Sequence, residues 1–348
     1  MKNHRGMAII LVISAISLLA LMMVEFTFGT QINLQISKNF QNAVKAKALS
    51  RSGVYFALLE LKVYKELKPL AQKINLDPSM LNMIWQFGFM YPPLPSAKGT
   101  FGTEKAIQEL TKVSKIDGNI SVTISDESSK INLNELANKN PKIKEAIQTQ
   151  LLRIFEDKLQ SDEAFSDQYR DTRFREYILN IQDWIDEDRE RSIGGDEESY
   201  YGRLRTPYKP KNAPLDTVSE LALIEGFDDE TLFNLLASAV TVYPTQGINI
   251  NSADAIVLKS ISHEMTAELV GKILEHRQKM GGFKTAPEFL TFCNFTQKPE
   301  IPLTTETSIF LVESTAEVHG ASQTTQVIVD TTKELPNGMP NTVYWNMN

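Results

Sequence analysis

The chain has 348 residues, 42% hydrophobic and 23% charged, an ordinary composition for a folded protein with room for two domains. Its net charge of −7 argues against a nucleic-acid partner held through phosphate contacts. Cys293 is the only cysteine, which excludes an intrachain disulfide, and four scattered histidines without an HExxH or Cys-rich pattern argue against a zinc centre.

The chain opens with the short basic leader Met1–Gly6, carrying Lys2 and Arg5, followed by Met7–Val24, MAIILVISAISLLALMMV, without a charge. After Glu25 no further charge occurs until Lys38. A run of this length is suited to crossing a bilayer as a helix, where about 20 mainly apolar residues are needed. Three readings compete for it. A cleaved signal peptide has a shorter apolar core, of about 7–15 residues, and a small-x-small site after it. A plain membrane anchor needs only the hydropathy. A type IV pilin-like leader is cut before the apolar run, after a glycine, and Arg5-Gly6-Met7 has that form. Lys2 and Arg5 place the N-terminal end in the cytoplasm and the rest of the chain outside, in a periplasm on the pilin-like reading.

The helical signal continues past the span. Phe26, Phe28, Ile32, Leu34, Ile36, Phe40, Val44, Ala48, Val54, Leu58 and Leu61 recur at spacings largely of three and four. Gly29 and Gly53 are its weak points, and Pro69 predicts a stop near Lys68. Such a helix, some 60 residues, is about 90 Å long, greasy first and amphipathic after. Residues 69–104 read as a loop-rich connection around Pro92-Pro93-Leu94-Pro95, with a short helix over Asn75–Phe89. Ile120, Val122 and Ile124 alternate with Ser121, Thr123 and Ser125, the period of a half-buried strand. Asp126–Ser129 reads as a turn, Lys130–Asn134 as a second strand or a helix start, and Asn134 as an N-cap.

A long helical block follows, with apolar periodicity over Ile143–Lys158 and Phe174–Ile185 and further helices over 217–241 and 253–292. Strand signals return at Ser308–Glu313, Ala316–His319 and Thr324–Asp330, with Gly320 in a turn. Pro336–Asn348, with two prolines, a glycine and four asparagines, reads as a loose tail.

The segments Lys130–Asn134 (KINLN), Asp183–Pro214 (DWIDEDRERSIGGDEESYYGRLRTPYKPKNAP), Leu215–Leu221 (LDTVSEL) and Gly247–Ala253 (GININSA) occur in the order, behind the same leader and long helix, in which the chain resembles the type II secretion minor pseudopilin family called general secretion pathway protein K. The resemblance implies an α+β pilin-like fold: a long N-terminal helix and a small antiparallel sheet, interrupted by a large, mainly helical inserted domain. The expected division is leader 1–6, membrane helix 7–28, first pilin-like part 29–134, helical insertion 135–305, C-terminal strands 306–335 and tail 336–348. It also implies cleavage by a prepilin peptidase between Gly6 and Met7, methylation of the new amine, and an inner-membrane, mostly periplasmic, non-enzymatic subunit. The partners it implies are the minor pseudopilins I, J and H, met through the N-terminal helix. Most pilin-like subunits carry glutamate five residues into the mature chain, where Leu11 stands here. Protein K is similar in lacking it, and an unpaired carboxylate in lipid is costly, so Leu11 suits a tip subunit with no neighbour above it.

Eight acids, Asp183, Asp186, Glu187, Asp188, Glu190, Asp196, Glu197 and Glu198, crowd around Gly194-Gly195 against only Arg189 and Arg191. They fit either a solvated acidic loop or a calcium site, since calcium takes six to eight hard oxygens. The spacing is not that of an EF-hand. Trp184, Tyr200 and Tyr201 flank the acids and predict a pinned loop, and carboxylates held together repel unless neutralised. The family resemblance also implies bound calcium. The candidate ligands are Asp186, Asp188, Asp196 and Glu197, then Asp183 and Glu198, and no organic cofactor is expected. Residues 250–290 look like a helix-hairpin-helix unit, and 213–235 like a degenerate one, with Lys272, Arg277, Lys279 and Lys284 near Gly281-Gly282. In an exported, acidic chain these read as a scaffold; a minor pilin of an adhesion or DNA-uptake pilus and a plain anchored periplasmic protein are the alternatives.

Overall fold

The computed structural model describes residues 5–74, 78–93 and 104–347. Helix α1 (Arg5–Lys73) is continuous over 69 residues, about 100 Å. Its apolar window near the N-terminus is wholly uncovered by protein, and by length and composition this helix can cross a membrane. From Ala46 onward one face is buried: Ala46, Ser50, Val54, Ala57, Leu58, Leu61 and Tyr64 recur at three- and four-residue steps and pack on a sheet. Gly53 faces the sheet at short range, where an added Cβ would collide with Ser314 Oγ and stand 2.8 Å from Val122 Cγ2 and 3.1 Å from Ile120 Cγ2. Pro69 does not end the helix near Lys68. It removes one donor near the end, but Ala71 is still buried in the core and Ile74 N–H donates to Leu70 O at 3.2 Å.

After α1 come α2 (Pro78–Gln86), β1 (Phe89–Tyr91), α3 (Glu104–Ser114) and β2 (Asn119–Asp126). The short helix expected over Asn75–Phe89 is thus α2; its first residues, 75–77, lie outside the described residues, as do the leader residues 1–4 and 94–103 of the Pro-rich connection. On β2 the alternation holds: Ile120, Val122 and Ile124 face inward.

The next elements form a separate body: β3 (Ile131–Asn132), α4 (Pro141–Ser161), α5 (Glu163–Tyr169), α6 (Phe174–Ile185), α7 (Glu198–Tyr201), α8 (Glu230–Ala237), β4 (Val240–Thr241), β5 (Ile248–Asn249), α9 (Ala255–Ser260), α10 (Ala267–Met280), α11 (Ala286–Cys293) and β6 (Leu303–Thr304). Its own core runs from Ile131 to Ile301 and includes Leu151, Phe155, Ile181, Phe227, Phe283 and Phe289. The expected insertion 135–305 overlaps this core. Two short parallel pairs, β3–β4 and β5–β6, tie its distant segments together. The 217–241 helix is shorter than expected, a 3₁₀ turn over Val218–Leu223 and then α8. Asn134 is not the N-cap; Asn132 caps the 3₁₀ turn Leu133–Ala137, accepting from Asn134 N–H at 3.0 Å. The Asn134 side chain instead crosses the body, donating to Leu215 O and Val242 O and accepting from Leu215 N–H.

The chain then returns to the sheet as β7 (Ile309–Val318), β8 (Ala321–Glu334) and β9 (Pro340–Met347), giving the antiparallel order β1-β2-β7-β8-β9. Asp126, the last residue of β2, pairs with Phe310 on β7, so the helical body leaves and rejoins at neighbouring strand ends. There the buried Asp126 Oδ2 accepts from Ser252 Oγ (2.5 Å), Thr307 Oγ1 (2.7 Å) and Asn249 Nδ2 (2.7 Å), while Glu127 bonds Lys130 and Thr241. The expected loose tail is largely strand: β9 pairs with β8, and its Trp345 ring packs on Tyr55 of α1 at 6.3 Å. The prolines, glycine and asparagines masked Val343-Tyr344-Trp345, strand formers that need β8 as a partner.

Candidate cation site

Helix α6 ends at Ile185, so its last turn and its C-cap deliver Asp183 and Asp186 to the start of the acidic segment. The following residues fold back as a small hairpin: Glu190 bridges Asp196, and Gly194 and Gly195 turn the chain at φ 91° and 103°. Positive φ is accessible to glycine without penalty, which is why this pair sits in the turn. Arg191 fixes the hairpin to the body, donating from Nη2 to Asn180 Oδ1 (3.0 Å) and Glu225 Oε2 (2.6 Å). Trp184, Tyr201 and Tyr208 form a ring cluster beneath it, with centroids 5.3–6.2 Å apart. The loop is therefore pinned.

Asp186, Asp188 and Glu197 each place one carboxylate oxygen within 4.8 Å of the others. Glu197 is 2% exposed, and its Oε1 has no hydrogen-bond partner; neither does the buried Asp186 Oδ1. Burial pushes the Glu197 carboxyl up to about 7, with Asp186, Asp183 and Asp188 adding to the rise against a hydrogen bond from Asn212. Asp186 is raised by burial and then by Asp188 and Asp183. Two full negative charges 4.8 Å apart repel by roughly 3 kcal/mol at an effective dielectric of about 20, less at exposed Asp188. Convergent carboxylates, two of which keep a buried oxygen without a hydrogen-bond partner, fit a cation such as calcium, and no thiolate or imidazole among the three suits a softer metal.

The other three candidates lie apart from this cluster. Asp183 accepts from Ser192 N–H with both oxygens (3.1 Å each) and from Ser192 Oγ, holding the hairpin on α6. Asp196 Oδ1 accepts from Glu198 N–H, and Glu198 pairs with Lys209 at 3.0 Å. Sequence reasoning missed Asn212, which donates to Glu197 Oε2 at 3.0 Å and to the Asp188 carbonyl. Nothing in its Pro-rich surroundings marked it.

Three of the four basic residues of the hairpin unit are engaged within the chain through their side chains. Lys272 pairs with Glu268 and Lys279 with Glu275, while the Arg277 guanidinium donates to the carbonyls of Ala253 and Ile250.

Fold and site define a pilin-like α+β protein: a long, half-bare helix on an antiparallel sheet, bearing an inserted helical body with an acidic loop. Residues 129–245 match the family model of the type II secretion system (T2SS), protein K. The chain is 31% identical over 107 residues to the type II secretion system protein K of Pectobacterium carotovorum subsp. carotovorum, and 26% over 172 residues to that of Klebsiella pneumoniae. These stretches cover 29% and 47% of this chain, and 32% and 50% of those relatives. The fold is similar to a chain in the crystal structure of the GspK-GspI-GspJ complex from the enterotoxigenic Escherichia coli type 2 secretion system, with a TM-score of 0.61 at 19% identity, over 91% of this chain and 99% of that one.

Proposed function

We propose that this chain is a minor pseudopilin of a type II secretion machine, a non-catalytic subunit seated at the pseudopilus tip that helps start or cap its assembly. The observation that carries this reading is the joining, in one chain, of a protein K segment to a continuous helix bare over its apolar half. The bare half holds the subunit in the inner membrane and later packs among the helices of the fibre. The half that lies on the sheet carries the helical body at the outer end, in the periplasm, where its bulk hinders addition of a further subunit above. Leu11 supports the tip position, because it brings no carboxylate needing a partner in lipid. Prepilin peptidase cuts between Gly6 and Met7, and the new amine is methylated. Minor pseudopilins I and J are the partners supported by the similar fold found in the GspK-GspI-GspJ complex, with H beneath them. Asp186, Asp188 and Glu197 hold calcium, whose charge offsets the repulsion within the acidic loop and stiffens the body.

Deleting this chain from a type II secreting strain tests the function. Secreted proteins are expected to accumulate in the periplasm and to be exported again when the chain is restored. Normal export without it would defeat the secretion role and leave a plain anchored protein.

A further inference from the structure

Asn212 stands where the acidic hairpin meets the segment Tyr208–Pro214. That segment is fixed on both sides: Tyr208 Oη donates to Leu223 O at 2.7 Å, Lys211 pairs with Asp216 and Glu220, and Leu215 N–H donates to Asn134. The Asn212 backbone is left-handed, φ 47°, a conformation asparagine tolerates better than most residues with a Cβ. Its Nδ2 donates to both Glu197 Oε2 and the Asp188 carbonyl. These acceptors belong to two of the three residues whose carboxylates converge. The amide thus puts a partial positive charge between oxygens a cation would draw on, while its own oxygen is a neutral hard ligand.

We propose that Asn212 is the neutral arm of the cation site. Its amide gathers the Asp188 carbonyl and the Glu197 carboxylate; when calcium binds, it yields both oxygens to the ion and turns its own Oδ1 toward it. Half a turn about the Cβ–Cγ bond exchanges amide nitrogen and oxygen without moving the backbone. The proposal rests on the calcium reading above, and the test separates the two.

The full chain in detergent micelles is titrated with calcium by calorimetry, and its melting temperature is read in calcium and in chelator. Failure of the unaltered chain to bind calcium would overturn the calcium reading and this proposal with it. If the unaltered chain binds, Asn212→Gly, which accepts the positive φ without strain, is expected to weaken binding about 10–100-fold, the usual cost of losing a residue that orients metal ligands. Unchanged affinity in that variant would overturn the role of Asn212 alone. Asn212→Asp loses the N–H donors but gains a charged oxygen. It should melt below the unaltered chain in chelator and close or reverse that gap in saturating calcium. A purely structural asparagine predicts the same loss in both conditions, and that result would overturn the proposal even if the glycine variant failed to fold.

Discussion

Glu60 lies on the sheet-bearing part of α1, half-buried, with Oε2 enclosed and lacking a hydrogen-bond partner. Burial raises its carboxyl from 4.5 to about 7. Between those values the folded chain keeps a proton that the unfolded chain has released, so this group lowers stability as pH rises through the window. Glu60→Gln removes the ionisation and should raise the melting temperature by roughly 2–4 °C at pH about 8, while leaving it nearly unchanged at pH about 5. A gain of equal size at both values would show that ionisation is not the cause. At this scale the sequence exposed the acids near Gly194-Gly195 but not their division of labour. Asp183 and Asp186 are three residues apart at the end of α6, the second as its C-cap, yet Asp183 is taken up by Ser192 while Asp186 keeps an unpartnered oxygen. That difference depends on how the hairpin folds back, which spacing does not encode.

Helix α1 shows what one element can announce in advance. Of its expected apolar positions, Val54, Leu58 and Leu61 mark the face buried on the sheet, as one-sided burial demands, whereas Phe26, Phe28, Ile32, Leu34, Ile36, Phe40 and Val44 are exposed and do not pack on the domain. The role of Gly53 was not legible. In sequence it is a weak point; in the fold it is the position that lets α1 lie close to β2 and β7. Gly53→Leu should destabilise the protein by about 3 kcal/mol in denaturant titration, since overpacking outweighs leucine's gain of about 1 kcal/mol in helix propensity. Stability equal to or above that of the unaltered chain would mean that α1 is not closely seated on the sheet. The strand β9 failed to announce itself for the opposite reason: an edge strand gets its order from its neighbour, and its strand formers Val343-Tyr344-Trp345 stand among prolines, a glycine and asparagines that read as a loop.

For the whole molecule, the decisive prediction concerns where the mature chain begins. Intact mass of the protein from its native membrane should correspond to a start at methylated Met7. A start at Met1 would leave an unprocessed anchor, and a start beyond residue 25 would mean a cleaved signal peptide.

The sequence by itself determined the long helix with its bare apolar end, the inward face of β2, the helical block, the return of strands near the C-terminus and the acidic, glycine-hinged loop. Each of these is written in local periodicity or in a run of one residue type. The tertiary structure decided which parts of the chain meet. It brought the ends of β2 and β7 side by side around Asp126, so that the helical body leaves and rejoins the sheet at one place. It also chose Asp186, Asp188 and Glu197 from eight acids and set Asn212 against them. Contacts between residues distant in the chain depend on packing and burial, and carry no local signal in the amino-acid order.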